Sequence, residues 1–475
     1  MITYIYIDGF KAFREFEIYL TPLTVVAGTN ASGKSNLFDA LALLSSLAAG
    51  VNLSDVMTGK RGEGDELFTQ YHDGSRAKEM TFKVDLLLKA NYSDELKQKG
   101  KLDCPRLRYE LTIRRNENFI GEQRYFIAHE SLKPILKKDD VWMNALPEKV
   151  VNMLMPSGRK QVRRPYIQTK LVDGSLKGEV VLELSKGSSK KSNVQEPKKM
   201  VDFEDARRTL LSRYQDEDYL HIIAVRQEMT SWMFMHLSPE VMRTPSRKSD
   251  KNAWLKSNGG NLASAVNMLK QEDDYLIRVL ERKLNKLLPN FVGIDVSDDL
   301  ENNSFVLKLK DVSGRWYSSR VLSEGSLRIL TLCVMLIDEK HQGVLCFEEP
   351  ENGVHPHRIT DIAQIVSEMC TDFAEGDSLR QMIVNTHSPL FIRSVSSITG
   401  RWTTVYLSRM VASVMSTADG KRVKLYRTGM TPAVTVGGKD LKEYTVQEKR
   451  MTAYEIAEYL QSAQGGPVQE FGNLE

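Results

Sequence analysis

The stretch that most constrains this chain is GTNASGKS at residues 28–35, which fits the pattern G-x-x-x-x-G-K-[ST]. In this pattern backbone N–H groups and the lysine cradle phosphates, while the final hydroxyl reaches a magnesium ion. The apolar run LTVVAGTN before it predicts a strand, and SNLFDALALLSSLA after it predicts a helix. The residues predicted to bind the nucleotide are Gly28, Asn30, Gly33, Lys34, Ser35 and Asn36. Strand, glycine loop and helix in this order predict an α/β fold.

Three further motifs follow almost three hundred residues downstream. VLSEGSLRILTLCVMLI (321–337) is a Ser-x-Gly turn that opens an apolar helix, so Ser323 and Gly325 would lie at a positive helix end suited to an anion. GVLCFEEPENGVHP (343–356) is an apolar strand ending in two carboxylates, Glu348 and Glu349. QMIVNTHSPLFI (381–392) is a similar strand ending in His387. With the phosphate loop, these motifs in this order are the layout of an ABC-type ATPase core.

The residue types at these positions suit ATP hydrolysis. Lys34 is predicted to pair with the β/γ-phosphates, and Ser35 to bind Mg²⁺. Glu348 is predicted to hold the water shell of the metal, and Glu349 to orient or deprotonate the attacking water. His387 is placed to hydrogen-bond the γ-phosphate. A histidine alone at a strand end is more often structural, so its assignment depends on the whole set of motifs.

The segments IYIDGFKAF, LSEGSLR, FEEPENGVHP and NTHSP resemble the RecF/SMC/OLD-type branch of ABC ATPases, and more narrowly the stand-alone AAA-15 or AAA-21 ATPases. The resemblance covers residues 1–60 and about 255–392. It implies a homodimer or higher homo-oligomer, in which Ser323 and Gly325 complete the nucleotide site of the partner protomer. The usual aspartate before the catalytic glutamate is Glu348 here. Gln70 is a candidate for the glutamine of the nucleotide site, with an ordinary loop residue as the alternative.

The motifs and the charge distribution divide the chain. Residues 131–200 hold fifteen Lys/Arg against seven Asp/Glu, and their turn residues predict a surface loop. Residues 201–290 have helical periodicity, and the stretch from Asn261 to Pro289 predicts one helix about 40 Å long. We therefore expect an ABC-type core, with mixed and antiparallel sheets around the phosphate loop, and a largely helical insertion. The expected units are an N-terminal lobe at 1–130, the insertion at 131–290, a C-terminal ATPase lobe at 291–430 and a tail at 431–475.

Composition narrows the cellular setting. The sequence has no run of eighteen apolar residues and no signal-peptide pattern at its start, which predicts a cytoplasmic protein without membrane contact. The four cysteines are far apart and form no C-x-x-C pair, which favours buried free thiols over a zinc site or a disulfide framework.

Three function classes remain open from the sequence. Residues 393–475 contain no Asp-x-Asp, a pattern that nucleases of the OLD type carry after the histidine, so no nuclease activity is expected. The chain then resembles the ATPase subunits of antiviral systems such as PARIS and Septu, which implies a separately encoded nuclease or toxin effector and a phage trigger. The alternative is a RecF-like DNA-repair or DNA-binding ATPase, with nucleic acid bound through residues 131–200. A transporter subunit is the third class, and the motifs disfavour it.

Overall fold

We describe the fold from a computed structural model of the chain. The described residues are 1–58, 62, 64–93, 99–115, 125–155, 164–171, 177–182, 199–202, 207–214, 217–250, 255–338, 342–373, 379–398, 402–416, 422–436, 441–442 and 458. None of the helices in these ranges has both the length and the apolar composition that crossing a membrane requires.

The described elements alternate between strands and helices along the chain. The strands are β1 (Ile2–Asp8), β2 (Phe16–Tyr19), β3 (Leu23–Ala27), β4 (Glu79–Leu87), β5 (Asn91–Ser93), β6 (Lys99–Lys101), β7 (Arg106–Arg115), β8 (Tyr125–Pro134), β9 (Ile167–Leu171), β10 (Lys177–Leu182), β11 (Lys199–Asp202), β12 (Met233–Met235), β13 (Ser246–Arg247), β14 (Phe291–Asp299), β15 (Ser304–Asp311), β16 (Trp316–Ser318), β17 (Gly343–Glu348), β18 (Arg380–Thr386), β19 (Thr403–Ser416) and β20 (Arg422–Val436). The α-helices are α1 (Lys34–Ala48), α2 (Leu53–Thr58), α3 (Val141–Asn144), α4 (Glu148–Leu154), α5 (Leu210–Arg213), α6 (Leu220–Thr230), α7 (Pro239–Arg243), α8 (Leu262–Glu272), α9 (Asp274–Leu287), α10 (Glu324–Ile337), α11 (Ile359–Glu368) and α12 (Pro389–Ser397).

Two large sheets organise these elements. An antiparallel sheet of eight strands has the order β11-β10-β9-β8-β7-β4-β1-β2. A mixed sheet of six strands has the order β12-β17-β18-β3-β19-β20, in which only the last pair, β19 and β20, is antiparallel. A smaller sheet is formed by β13, β14, β15 and β16. These sheets confirm the predicted α/β fold with mixed and antiparallel sheets around the phosphate loop.

The six-stranded sheet is buried on both faces, and alternate residues of its strands enter different cores. Val26 of β3 and Cys346 of β17 pack in one cluster with the apolar residues of α1. Their neighbours Val25 and Phe347 pack in a second cluster with α10, α11 and α12. Since side chains alternate across a strand, the helix after the phosphate loop and helix α10 cover opposite faces of this sheet.

The structure differs from two sequence expectations. Residues 131–200, predicted as a surface loop, contribute α3, α4 and the strands β9, β10 and part of β11 to the fold, so the prediction is wrong for their described part. Their Lys-rich composition concealed short strands at one side of the antiparallel sheet, where lysine is common. Residues 183–198, with most of the Lys/Ser-rich stretch, lie outside the described residues.

The single helix predicted between Asn261 and Pro289 is instead two helices, α8 and α9. Asp273 separates them, and its carboxylate accepts a 2.8 Å hydrogen bond from the backbone N–H of Tyr275. An aspartate in this position caps the start of a new helix instead of continuing the previous one.

The predicted buried thiols are confirmed, since Cys104, Cys333, Cys346 and Cys370 are all buried.

Candidate active site

The phosphate loop connects the end of β3 to the start of α1. Gly28 has φ 149° and Gly33 has φ 91°, and the latter value lies in the region that glycine adopts most readily. Lys34 is buried, and its Nζ donates to the backbone oxygens of Gly28 and Thr29, at 2.7 Å each. Asn36 continues the turn, with its backbone N–H 3.1 Å from the oxygen of Gly33. The loop therefore holds the lysine ammonium against its own carbonyls.

The long hairpin of β19 and β20 supports this loop from outside. The hydroxyl of Ser408 donates to the backbone oxygen of Ser32 at 2.8 Å. A Cβ added to Gly28 would lie 2.5 Å from the oxygen of Ser408, and one added to Gly33 would overlap the side chain of Thr428. Both glycines are thus required by the close approach of the hairpin as well as by their backbone conformation.

The two predicted carboxylates lie at the carboxyl end of β17, next to the ends of β18 and β3. Glu348 is opposite Asn385 in the register of β17 and β18, and Thr386 is opposite Ala27, which immediately precedes the loop. In parallel sheets this edge is where ligands bind. Glu349 turns away from the strand with φ 48°, and its N–H donates to the oxygen of Asn385 at 2.8 Å.

Glu349 and His387 are in direct contact. Oε1 of Glu349 lies 2.8 Å from Nδ1 of His387, and 36% of the Glu349 side chain and 53% of the His387 side chain are exposed. The structure thus brings together the two residues predicted to act on water and on the γ-phosphate, although they are 38 positions apart in the sequence. Both side chains remain accessible to a ligand.

Asn385 lies next to both predicted metal ligands, Ser35 and Glu348. The amide Nδ2 of Asn385 donates to Oγ of Ser35 at 3.3 Å, and Glu348 is the register neighbour of Asn385. The Oδ1 atom of Asn385 is buried and has no hydrogen-bond partner in the described part of the chain. Within that part, no group of three or more His, Cys, Asp or Glu side chains is close enough to hold a metal ion.

These residues fit Mg²⁺ bound together with a nucleotide. Mg²⁺ in such sites keeps several waters and is held by one or two protein groups plus phosphate oxygens, which matches a single hydroxyl and a single carboxylate. The buried acceptor of Asn385 can receive a hydrogen bond from one of those waters. Backbone N–H groups of such a loop, at the start of helix α1, are suited to bind phosphate oxygens.

Burial shifts the pKa values of two charged groups at this edge. Burial lowers the pKa of Lys34, and the nearby Glu349 carboxylate opposes that shift. Burial raises the pKa of Glu351, whose Oε1 accepts a hydrogen bond from the hydroxyl of Thr386. This bond ties the loop after the carboxylates to the residue next to His387. The backbone N–H of Ser388 also donates to the Thr386 hydroxyl, at 2.9 Å.

The Ser-x-Gly motif begins α10 as predicted. Ser323 is the N-cap residue, and its Oγ accepts from the N–H of Ser326 at 3.2 Å. Gly325 packs against the backbone of Gly353, since a Cβ at position 325 would lie 3.1 Å from the oxygen of Gly353. Helices α10 and α1 cover opposite faces of the six-stranded sheet. The Ser-x-Gly motif and Lys34 therefore begin helices on opposite faces of this sheet.

Two predicted nucleotide residues gain no new support from the structure. Asn30 is exposed in the phosphate loop. Gln70 is also exposed, and its backbone forms an isolated bridge with Arg76. The loop that carries Gln70 is held to β20 by the N–H of His72, which donates to the oxygen of Lys424 at 3.0 Å. The roles of Asn30 and Gln70 stay predictions.

Sequence reasoning missed Asn385, Glu351 and His236 at this site. Asn385 lies two residues before the predicted His387, so its position at a strand end was a usable signal. His236 follows β12, and its Nδ1 lies 3.2 Å from Oε2 of Glu348. The three-residue strand Met233–Met235 is too short to give a periodic pattern in the sequence.

No curated protein matches the sequence. Among solved structures, the SmcHead bound to the C-winged helix domain of ScpA is similar with a TM-score of 0.44 and 10% identity, covering 91% of this chain and 98% of that one. A Smc head domain with an extended coiled coil bound to the C-terminal domain of ScpA, from Pyrococcus furiosus, has a TM-score of 0.42, 12% identity and coverages of 96% and 98%. The SMC head domain from Thermotoga maritima has a TM-score of 0.35, 11% identity and coverages of 91% and 98%.

One family model matches most of the chain. It is described as "AAA domain, putative AbiEii toxin, Type IV TA system", and it matches residues 23–143 and 180–393. The matched ranges include the phosphate loop, the Ser-x-Gly turn, both carboxylates and His387. They therefore contain the whole set of motifs that the structure gathers around the six-stranded sheet. The chain belongs to this AAA-domain family of ATPases.

Proposed function

We propose that this chain is the ATP-binding and ATP-hydrolysing regulatory subunit of a bacterial anti-phage defence system, which holds or licenses a separately encoded effector. The observation that carries the ATPase part is the meeting of Lys34, Ser35, Glu348, Glu349 and His387 around one edge of the sheet. The defence role is supported by the family description, which refers to a putative toxin of a type IV TA system, and by the motif resemblance to PARIS and Septu subunits.

Each side chain would have a distinct task in hydrolysis. Lys34 and the loop N–H groups would bind the β/γ-phosphates, and Ser35 and Glu348 would hold Mg²⁺ and its waters. The bound Mg²⁺ would neutralise developing phosphate charge. Glu349 would accept a proton from the attacking water on a carboxylate oxygen. His387, 2.8 Å from Glu349, would orient that carboxylate and hydrogen-bond the γ-phosphate.

The active form would be a dimer, or a higher oligomer built from dimers, with two composite sites. Ser323 and Gly325 begin a helix on the opposite sheet face from α1, which supports their use by a partner protomer. The capped start of α10 offers N–H groups and a positive dipole end to an anion. ATP bound between two protomers would then stabilise a closed shape over an open one.

The effector would read this change of shape. A partner that prefers one of the two shapes needs a differential affinity of only a few kcal/mol to shift most of the population. The chain is expected to cleave neither DNA nor RNA by itself, with Mg²⁺ or with Mn²⁺, since residues 393–475 contain no Asp-x-Asp. Cleavage that survives rigorous purification would contradict this expectation.

The test is to express the chain with its neighbouring gene and measure how much neighbour is retained. Wild type is compared with Lys34→Ala, which should not bind ATP, and with Glu349→Gln, which should stay ATP-bound. A matched control is Glu79→Gln, in an exposed pair with Arg114 on the antiparallel sheet. Retention should differ between Lys34→Ala and Glu349→Gln, and the control should equal wild type. Equal retention in all four proteins would refute licensing.

The RecF-like alternative is kept because of the excess of lysine and arginine in residues 131–200. Strands β9, β10 and β11 from this region lie at one side of the antiparallel sheet. Binding to phosphates there would weaken steeply with salt. ATP-dependent DNA binding with such a salt dependence, combined with no retention of the neighbouring protein, would favour this alternative.

A further inference from the structure

His236 is a residue that neither the motifs nor the proposed roles use. It directly follows β12, the strand at one edge of the six-stranded sheet, which runs parallel to β17. In this register Met235 is opposite Phe347, so His236 comes beside Glu348. His236, Glu348 and Asn385 therefore lie in one row at the carboxyl ends of three neighbouring strands.

The imidazole contacts the carboxylate directly. Nδ1 of His236 lies 3.2 Å from Oε2 of Glu348. The backbone at His236 is held in place by a hydrogen bond, in which the N–H of His236 donates to the backbone oxygen of Ser257 at 2.9 Å. The side chain of Glu348 is 19% exposed and that of His236 is 77% exposed, so the histidine lies on the solvent side of the carboxylate.

Stabilisation of the fold is a poor explanation for this contact. Pairs this exposed are typically worth 0–1 kcal/mol. In contrast, the groups that hydrogen-bond a metal-binding side chain fix its orientation, and losing one typically weakens metal affinity about 10–100-fold. Each of the two consecutive glutamates has its own histidine, since Glu348 contacts His236 and Glu349 contacts His387.

We infer that His236 is a positioning residue for the metal side of the ATP site, where its Nδ1–H donates to Glu348 and sets the direction of that carboxylate toward Ser35 and Asn385. This inference rests on the proposed function, in which Glu348 holds the waters of Mg²⁺. It predicts that His236 acts on the Mg²⁺ dependence of nucleotide binding and not on nucleotide binding itself.

The experiment titrates Mg²⁺ into purified protein with a fluorescent ATP analogue. His236→Ala should raise the Mg²⁺ concentration at half-saturation about tenfold. Its binding of the analogue in EDTA should equal that of wild type. Its kcat at saturating Mg²⁺ should stay close to wild type, while the Mg²⁺ concentration that gives half the maximal rate rises. His236→Asn, whose amide nitrogen can replace the Nδ1 donor, should restore the Mg²⁺ dependence to within about threefold of wild type. The matched control is His129→Ala, which removes another surface histidine near a glutamate, with 3.9 Å between His129 Nε2 and Glu110 Oε2.

Two outcomes would overturn the inference. His236→Ala with a wild-type Mg²⁺ dependence would show that the contact does nothing for the metal. Equal losses in His236→Ala and His236→Asn would show that hydrogen-bond donation is not the cause.

Glu348→Ala separates this inference from the proposed function. If Glu348→Ala also leaves the Mg²⁺ dependence unchanged, the proposed metal site fails together with the inference. If Glu348→Ala shifts it and His236→Ala does not, only the inference fails.

Discussion

The buried histidine of helix α6 leads to a quantitative prediction about acid stability. His221 is 2% exposed, and its ring stacks on Tyr166 with 4.0 Å between the ring centroids and 13° between the planes. Burial lowers the pKa of His221 from 6.5 to about 4, and the charge of Asp103 opposes the shift. Helix α6 packs against α1, the helix that begins at Lys34, so its stability matters for the phosphate loop.

The sign and size of the effect follow from the two pKa values. Between pH 6.5 and about 4 the unfolded chain binds a proton at this histidine and the folded chain does not, so the free energy of unfolding falls as the pH falls. The full loss over that range is about 3 kcal/mol, since each unit of difference is worth about 1.36 kcal/mol. At pH 5.5 the loss from His221 alone is about 1.4 kcal/mol.

The perturbation is the substitution His221→Phe, which keeps an aromatic ring against Tyr166 and removes the titrating group. Urea unfolding followed by circular dichroism at pH 7.5, 6.5 and 5.5 gives the free energy of unfolding of each protein. Because the two rings pack differently, the comparison uses the change in the free energy of unfolding with pH and not its value at pH 7.5. The variant should lose about 1.4 kcal/mol less than wild type between pH 7.5 and 5.5. Parallel losses in the two proteins would refute the assignment of acid sensitivity to His221.

Three further predictions concern the ATP site. Lys34→Ala should abolish binding of a fluorescent ATP analogue, whereas Glu349→Gln should bind it and release phosphate ~10²–10⁴-fold more slowly; near-normal turnover in Glu349→Gln would overturn its role as the base. Ser323→Arg should be inactive alone but regain activity when mixed with Lys34→Ala under exchange conditions, because one mixed dimer contains one complete site; a lack of any complementation in the phosphate-release assay would argue against shared sites. Gly33→Ala should weaken ATP binding at least about tenfold, because the added Cβ would overlap the neighbouring hairpin and φ of Gly33 is 91°. The control Ala31→Gly, at φ 62° in the same loop, should bind ATP as wild type does. Equal losses in the two variants would contradict this packing argument.

The sequence by itself determined the local parts of the site. A phosphate loop needs glycines, a lysine and a hydroxyl at fixed spacing, so residues 28–35 predicted the β3–loop–α1 unit correctly. Glu349 and His387 were predicted as site residues because each follows a short apolar strand, and the structure confirms these two strands, β17 and β18. In each case the chemistry is carried by neighbouring residues, and a contiguous pattern can be recognised without knowing the rest of the fold.

Only the tertiary structure decided which separate segments meet. His236 is next to Glu348 because β12 pairs with β17 in one particular register, and residues more than a hundred positions apart leave no local pattern for that pairing. The contact of Asn385 with Ser35 likewise depends on β18 lying beside β3. The strands between residues 167 and 202 were not predicted because their sequence is rich in lysine. One helix was predicted where there are two, because the apolar spacing continues on both sides of Asp273. Strand pairing and burial decide such contacts and element boundaries. The same side chain can be exposed or buried, and can pair with another strand or cap a helix, according to what packs against it.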